Sequence, residues 1–333
     1  MITVSEVSAL EGLRPVWDVL VAANGPWDAQ MGFDWLSLWY RCYGEGRELI
    51  VLVAEEGGEV VGLAALMIAR SKTDGARELT FLGQDPLDYS DFALRGDRRA
   101  ILEKMLRHLR ARRAWDRFDL YELREDSPNL APLREALAAI GGEAQLEVCT
   151  ICPYIDLTAG RAVHAEAMGP KLRADVRRRR RRLLEEAGPV VLERRARADE
   201  PLLDELHRVN RAHFAWKGLQ NLEKSEAKKT YVRGLLTLFS EACRLDVAVL
   251  RAGGRAVAYN LGYVHEGVVN YWNTGFDPEY ARFSPGKLLV HGLIESAFDA
   301  GHREFNFLRG DEAYKLEWTP LARRNYRALI RGV

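Results

Sequence analysis

The sequence has no long apolar run, few cysteines and no net charge, and each shortage removes a class of protein. Its longest apolar stretch, Val60 to Ala69, falls short of the roughly 18 residues that span a bilayer, so no transmembrane helix is expected. The opening MITVSEVSALEG lacks the basic and apolar regions of a secretory signal, which makes cytoplasmic residence the default. There are four cysteines, and Cys149-Thr-Ile-Cys152 is their one close pair. A second C-x-x-C and histidines at i,i+4 spacing are both missing, so neither structural zinc nor another metal is expected. Lysine plus arginine number 48, as do aspartate plus glutamate, so any electrostatic message is local.

What is present suits a two-domain α/β protein. A chain of 333 residues exceeds one typical domain, and its hydrophobic and charged shares are those of a globular protein. Leu49 to Leu66 reads as two strands joined at Gly57-Gly58, and Leu245 to Gly262 reads the same way around Gly253-Gly254. With the glycines aligned, Leu49, Val51, Val53 and Val61 fall on Leu245, Val247, Val249 and Val257. Gly83-Gln84-Asp85-Pro86 then ends a strand in one half as Gly275-Phe276-Asp277-Pro278 does in the other. A helix follows each, Arg98 to Arg112 and Gly286 to Ala300, and then a short strand. The pattern is a structural duplication.

The stretch Val268 to Trp318 carries most of the chemistry. A strand-like alternation to Thr274 leads into a turn, and Ser284-Pro285-Gly286-Lys287 opens a helix with Ser284 as N-cap and Pro285 at the first position. Strand, turn and helix N-terminus in that order make an anion site, suited to a pyrophosphate, with Arg282 and Lys287 adding charge. After the helix and a strand at Glu304 to Leu308 comes the cluster Arg309, Gly310, Asp311, Glu312, Tyr314, Lys315. The first half lacks the Ser-Pro-Gly start and has Arg95-Gly96-Asp97 instead. It does carry Asp88-Tyr89-Ser90-Asp91, which reads either as a loop for an amine or hydroxyls or as a solvated turn with local caps.

Between the halves, Lys171 to Gly188 is a basic amphipathic helix with the run Arg177 to Arg182 and an apolar stripe of Leu172, Val176, Leu183 and Ala187. It reads as a packing helix with a solvated face, or as a surface for an anionic membrane or phosphates. No aromatic residue interrupts the run, which disfavours single-stranded nucleic acid. Two further helices follow, one from Asp199 to about His213 and one capped by Ser225 and running to Cys243. His213, beside Phe214 and Trp216, is either a base or a packed histidine.

This order of elements resembles the GNAT superfamily of acyl-CoA-dependent N-acyltransferases. The run SPGKLLVHGLIESAFDAGHREFNFLRGDEAYKLEW is similar to the C-terminal signature of the CelD-like acetyltransferase-like proteins associated with bacterial cellulose and exopolysaccharide biosynthesis. Bacterial ceramide synthases also resemble that group. The likeness is most specific over Lys171 to Trp318 and looser around Phe81-Leu82-Gly83 and Asp88-Tyr89. A tandem pair of such domains also resembles the Fem-type peptidyltransferases, which take an aminoacyl group from tRNA. One departure stands out: the usual pyrophosphate loop, Gln/Arg-x-x-Gly-x-Gly/Ala, is replaced by Arg282-Phe283-Ser284-Pro285-Gly286-Lys287, with one glycine at altered spacing.

The resemblance implies tandem GNAT-like α/β domains, each a mixed, mostly antiparallel sheet flanked by helices. Residues 1–155 would form the acceptor side with a degenerate cofactor site, and 156–333 the acyltransferase domain. Acyl-CoA or acetyl-CoA is the expected co-substrate, held by Arg282, Ser284, Gly286, Lys287, Trp272 and Asn273. Amides of Val269 to Asn273 would stabilise the oxyanion. Glu312 or Asp311 is the expected base, with His213 a further candidate, and Tyr314 would reprotonate the thiolate. Asp88, Tyr89, Asp91, Arg309 and Lys315 are expected toward the acceptor, an amine of a sugar, lipid or small metabolite. Arg177 to Arg182 offer peripheral contact with the inner membrane face. A ceramide-forming enzyme, a Fem-type transferase and an inactive acyl-CoA or glycan binding module are the competing readings.

Overall fold

Two glycine pairs set the frame. Gly57 and Gly58 have φ of 61° and 84°, and Gly253 and Gly254 have 57° and 85°. Positive φ at both central residues is what a two-residue turn between right-twisted strands requires. Each hairpin then carries one extra residue in its second strand, Val61 in the first and Val257 in the second, the same aligned valine. The duplication therefore extends from the turn to the bulge.

A computed structural model describes residues 1–331 apart from 25–27, 72, 84–86, 113, 142, 219–225 and 243. The first elements are β1 (Ile2–Val7), α1 (Arg14–Ala23), α2 (Phe33–Tyr43), β2 (Glu48–Glu56), β3 (Glu59–Arg70), β4 (Arg77–Phe81), β5 (Ala93–Leu94) and α3 (Arg98–Arg112). Then come β6 (Arg117–Arg124), α4 (Leu130–Ile140), β7 (Glu143–Asp156), α5 (Arg161–Ala187), β8 (Val190–Arg195), α6 (Glu200–Trp216) and α7 (Glu226–Glu241). The chain closes with β9 (Leu245–Ala252), β10 (Arg255–His265), β11 (Val268–Phe276), α8 (Pro285–Asp299), β12 (Glu304–Asn306), α9 (Ala313–Leu316) and β13 (Ala322–Arg331).

Contacts divide the chain into unit 1, Met1–Ile151 with Arg323–Val333, and unit 2, Cys152–Ala322. In unit 1 the strand order begins β1-β2-β3-β4-β6-β13, with β5 on β3. In unit 2, β12 bridges β7 and β11, followed by β10, β9 and β8. Both sheets are mostly antiparallel, with one parallel pair each, β4 with β6 and β11 with β12. Each unit has its own core: α3 and α4 pack Leu102, Met105, Leu133 and Leu137 against the first sheet, and α5 and α8 pack Val176, Leu183, Leu289 and Leu293 in the second.

The structure changes some boundaries. The last strand pairs with β6, from Asn325↔Arg124 to Ile330↔Phe118, so residues 323–333 belong to unit 1 rather than to a second domain running to 333. Asn325 donates to Glu122, 203 residues earlier, at 2.6 Å, and pairing at that separation leaves no local trace in the sequence. The basic helix starts at Arg161, with a kink at Gly169 (φ 70°) ahead of Pro170. Asp199 caps α6 as expected, accepting from the Leu202 amide at 3.0 Å, and that helix runs on to Trp216. Ser284 stands at the N-cap position of α8 but makes no side-chain cap; its backbone is left-handed, φ 50° and ψ 59°. The expected cap at Ser225, the helix end at Cys243 and Gln84-Asp85-Pro86 lie outside the described residues.

Buried Asp277 fixes the turn after β11. Its amide donates to the carbonyl of Val257, the bulge residue, at 2.8 Å, and its carboxylate accepts from Arg208 at 3.1 Å and Arg255 at 2.8 Å. Asp277→Ala leaves both guanidinium groups without this anion and should cost about 2 kcal/mol, read as a lower Tm, with Asp277→Asn in between. Burial also holds His164 and His213 neutral, with pKa values lowered to about 4 from 6.5. The unfolded chain then binds more protons than the native one between those values, so stability should fall as pH falls through that window. Tm measured from pH 7 to 4 should show this fall, and His164→Leu should make it shallower.

Candidate active site

Parallel strands β11 and β12 pair over three residues only, Val268↔Glu304 to Asn270↔Asn306. Then they part. The Phe307 amide turns to the Pro153 carbonyl at 2.9 Å, Leu308 adopts a left-handed φ of 59°, and β11 continues past the ladder to Phe276. At the parting point β11 bulges. Leu261 pairs Asn273 and Tyr263 pairs Asn270, which sets Tyr271 and Trp272 opposite the single residue Gly262. A methyl at Gly262 would lie 2.6 Å from the Asn270 carbonyl oxygen, so glycine is what allows the close approach. Bulges re-aim side chains and free backbone groups from a ladder. Of the backbone donors expected between Val269 and Asn273, those from Tyr271 onward lie past the end of the ladder with β12.

The far end of β11 runs through Asp277 and a 3-10 turn, Pro278–Phe283, to the start of α8. Ser284 makes no side-chain cap at this helix N-terminus. Cations gather there: Arg282, Lys287, and from α5 Arg179, which donates to the Arg282 carbonyl at 3.3 Å. Each has a carboxylate partner. Arg282 pairs with Glu186 at 2.8 Å, Lys287 with Glu317 at 2.6 Å and Asp175 at 3.5 Å, and Arg179 with Asp175 at 2.8 Å. Gly286 has room for a methyl, with Phe276 at 3.7 Å, so its role is not set by local crowding. The rest of the basic run is partly neutralised too, Arg178 by Asp175, Arg181 by Glu185 and Arg182 by Glu186.

The acidic cluster closes the other end of the parted strands. Glu312 precedes α9, is 57% exposed at its side chain, and meets the ammonium of buried Lys315 at 2.9 Å. That ammonium also donates to the Arg309 carbonyl at 2.5 Å. Gly310, φ 116°, is required here: a Cβ would sit 2.3 Å from the Glu312 carboxylate. Asp311 is exposed. The Tyr314 phenol has its pKa raised by burial, by Tyr271 and by Glu312, while the residue keeps 39% of its surface exposed. Tyr271, the bulge residue, is buried, hydrogen bonded to Thr274 at 2.7 Å and pushed up to about 12 by desolvation. The structure thus brings Glu312, Tyr314 and Lys315 together beside the β11 bulge. It places His213 elsewhere, packed edge-on to Phe276 at 4.5 Å, where burial makes it a weak base.

Asn273, just past the bulge, opens onto a cavity of about 330 Å³ between α6, α7 and the β10–β11 strands. Its inner end is a hydrogen-bond chain: Asn210 donates to the Tyr259 hydroxyl at 2.5 Å, which donates to Asn273 at 2.9 Å. Leu206, Leu236 and Leu261 give it apolar walls. Apart from Asn273, which was expected toward the cofactor, these residues escaped the sequence reading. The signal was present as i,i+4 spacing on facing helices, His207 with Arg211 and Lys229 with Arg233, but it gains meaning only when the two helices are set side by side.

Unit 1 builds the same frame and closes it. Strand β4 pairs β6 only at Glu78↔Arg117 and Leu79↔Phe118. Beyond that, the Ser90 amide takes the Glu122 carbonyl at 2.9 Å, so the loop carrying Asp88 to Asp91 occupies β6 itself. Asp88 is held by Gln30 through two bonds, at 2.9 and 2.6 Å, and Tyr89 is fully buried under the Arg124 guanidinium. Asp91 accepts from Ser127 and Asn129, yet burial pushes its carboxyl up to about 6. This loop is neither an open acceptor site nor a solvated turn, because its carboxylates are bonded and Tyr89 is buried within unit 1. The start of α3 is capped by Asp97, which accepts from Ala100 at 3.0 Å, so its own carboxylate stands where an anion would.

Among the described residues no cluster could hold a metal ion, and no helix is long and apolar enough to cross a membrane. Residues 170–316 match the family model described as acetyltransferase (GNAT) domain. No curated protein matches the sequence. Among solved structures, FemX superposes with a TM-score of 0.66 at 10% identity, covering 97% of this chain and 96% of that one. A tandem GNAT protein from the clavulanic acid biosynthesis pathway gives 0.56 at 16% identity, covering 100% and 99%. A conserved protein of unknown function from Bacteroides thetaiotaomicron gives 0.57 at 16%, covering 99% and 100%. At such identities the structures speak for the fold, and the family match speaks for the domain: this chain is an acyltransferase of tandem GNAT-like architecture, with a GNAT domain in its second unit.

Proposed function

We propose that the protein transfers an acyl group from a CoA thioester to an amine by direct attack, using a single donor site in unit 2. The observation that carries this is the parting of β11 and β12 at a bulge, with an uncapped helix N-terminus at one end and Glu312 and Tyr314 at the other. Strand backbone that runs past the end of its neighbouring strand suits the amide-bearing arm of the donor, and the α8 turn with Arg282 suits its phosphates. Unit 1 has its own loop in the first position and Asp97 in the second, so one donor site is proposed, not two.

An ammonium with a pKa of about 10 must lose a proton before it attacks. Glu312 accepts that proton, and Lys315 holds its carboxylate in place. As the C–N bond forms and the C–S bond breaks, backbone donors of the bulge take the oxyanion, and Tyr314, held protonated by its surroundings, supplies a proton to the thiolate. Sugar amines, as the cellulose-associated resemblance suggests, and sphingoid amines are the acceptor classes carried forward. A second reading, an aminoacyl-tRNA donor, draws on the FemX-like fold; the ion-paired state of most of the Arg178 to Arg182 run weighs against it. The same pairing weakens the peripheral membrane contact.

Acyl-CoA at about 100 times its dissociation constant should stabilise the protein by about 2.7 kcal/mol, and thiol should appear when an acceptor amine is added. Absence of both sinks the proposal. Glu312→Gln should lower kcat by about 100-fold or more with acyl-CoA affinity little changed; unchanged kcat would remove Glu312 from the chemistry. Arg282→Ala should do the opposite, weakening acyl-CoA binding by about tenfold with kcat at saturation preserved, as titrated by calorimetry.

A further inference from the structure

The cavity between α6 and α7 is charged with one sign. Among the described residues, four cationic side chains line it, Arg211 from α6 and Lys228, Lys229 and Arg233 from α7, against one carboxylate, Glu226, and Lys228 already has a partner of its own. Glu226 neutralises Lys229 at 2.7 Å, and among the described residues the ion-pair partner of Arg233 is Glu200, at 3.6 Å. Arg211 has no ion-pair partner among the described residues. An excess of cations facing across a concave, partly apolar space focuses a positive potential on whatever enters. The inner end is different: neutral, rigid and hydrogen bonded, ending at Asn273 beside the β11 bulge. A volume of about 330 Å³ lies at the small end of ligand pockets, roughly 300 to 1,000 Å³, and suits a small molecule or a headgroup rather than a polymer.

We propose that the acceptor is an amine that also carries a fixed negative charge, a phosphate or carboxylate, held by Arg211 and Arg233 while its amine reaches the inner end at Asn273. This rests on the acyl-transfer reading and narrows its substrate class. Guanidinium groups bind either anion in a forked geometry, so both arginines suit phosphate and carboxylate alike. The arrangement has a directional consequence. Cations repel an ammonium, so an acceptor with both charges enters amine first, toward the bulge.

The test uses matched pairs on the full chain: glucosamine 6-phosphate against glucosamine, phosphoethanolamine against ethanolamine, and β-alanine against its amide. Binding by calorimetry and thiol release from acetyl-CoA and from a long-chain acyl-CoA are read separately. The expected result is that at least one anionic member binds about tenfold or more tightly than its neutral partner, that added salt weakens it, and that Arg211→Gln with Arg233→Gln abolishes the difference. Arg197→Gln, which does not line the cavity, should leave the difference intact. Phosphate pairs responding without the carboxylate pair, or the reverse, identifies which anion is read. Equal binding within every pair, no binding by any anionic member, or equal loss for both members in the arginine variants overturns the inference. Thiol release with neutral amines alone overturns it while acyl transfer stands. Selective binding of anionic amines that never yields thiol with either donor supports the cavity reading and overturns acyl transfer instead.

Discussion

Two parallel strands that stop pairing leave backbone donors and acceptors with nowhere to go, and most of what is distinctive here follows from how that is resolved. Buried N–H and C=O groups must find partners. In unit 1 the partner is internal, since the Ser90 amide takes the Glu122 carbonyl where β4 no longer reaches. In unit 2 the chain after β12 turns away at Leu308, and β11 runs on from Tyr271 to Phe276 past the end of its ladder with β12. One frame, used twice, is filled by its own loop in unit 1 and parts without such a loop bond in unit 2 among the described residues.

The same contrast recurs at the crossover helices. Asp97 brings a carboxylate to the start of α3 and satisfies its amides, whereas Ser284, held left-handed between the 3-10 turn and Pro285, cannot cap α8. Asp277 makes that conformation possible by tying the turn to the bulged Val257 and to two arginines at once. Around the open site the charges are held in reserve rather than bare. Arg282, Lys287 and Lys315 all rest on carboxylates, which keeps an unliganded cationic turn from destabilising the domain through self-repulsion.

Much of this frame was legible in the sequence. The glycine pairs required the hairpins, Pro285 and Asp199 marked helix starts, and the crowding from Arg309 to Lys315 is matched by contacts among Arg309, Glu312 and Lys315 after a strand end. Less legible was which polar groups were already taken. Lys287 looked like a free phosphate ligand and is bonded to Glu317 and Asp175; Asp88 to Asp91 looked like a surface loop and are built into unit 1. Arg211 and Arg233 drew no notice, because each sits on an ordinary amphipathic helix and only their helices' packing sets them around one cavity.

The sequence by itself determined the local backbone: where φ must be positive, where helices begin and end, and which faces are apolar, since each depends on neighbours within about one turn or one hairpin. The tertiary structure alone decided the bulge at Tyr271 and Trp272, the parting from β12, the return of β13 to unit 1 and the placing of His213 in an aromatic pack. Those depend on pairings between segments far apart in the chain, whose hydrogen bonds are made by backbone groups that every residue shares and that no residue type therefore announces.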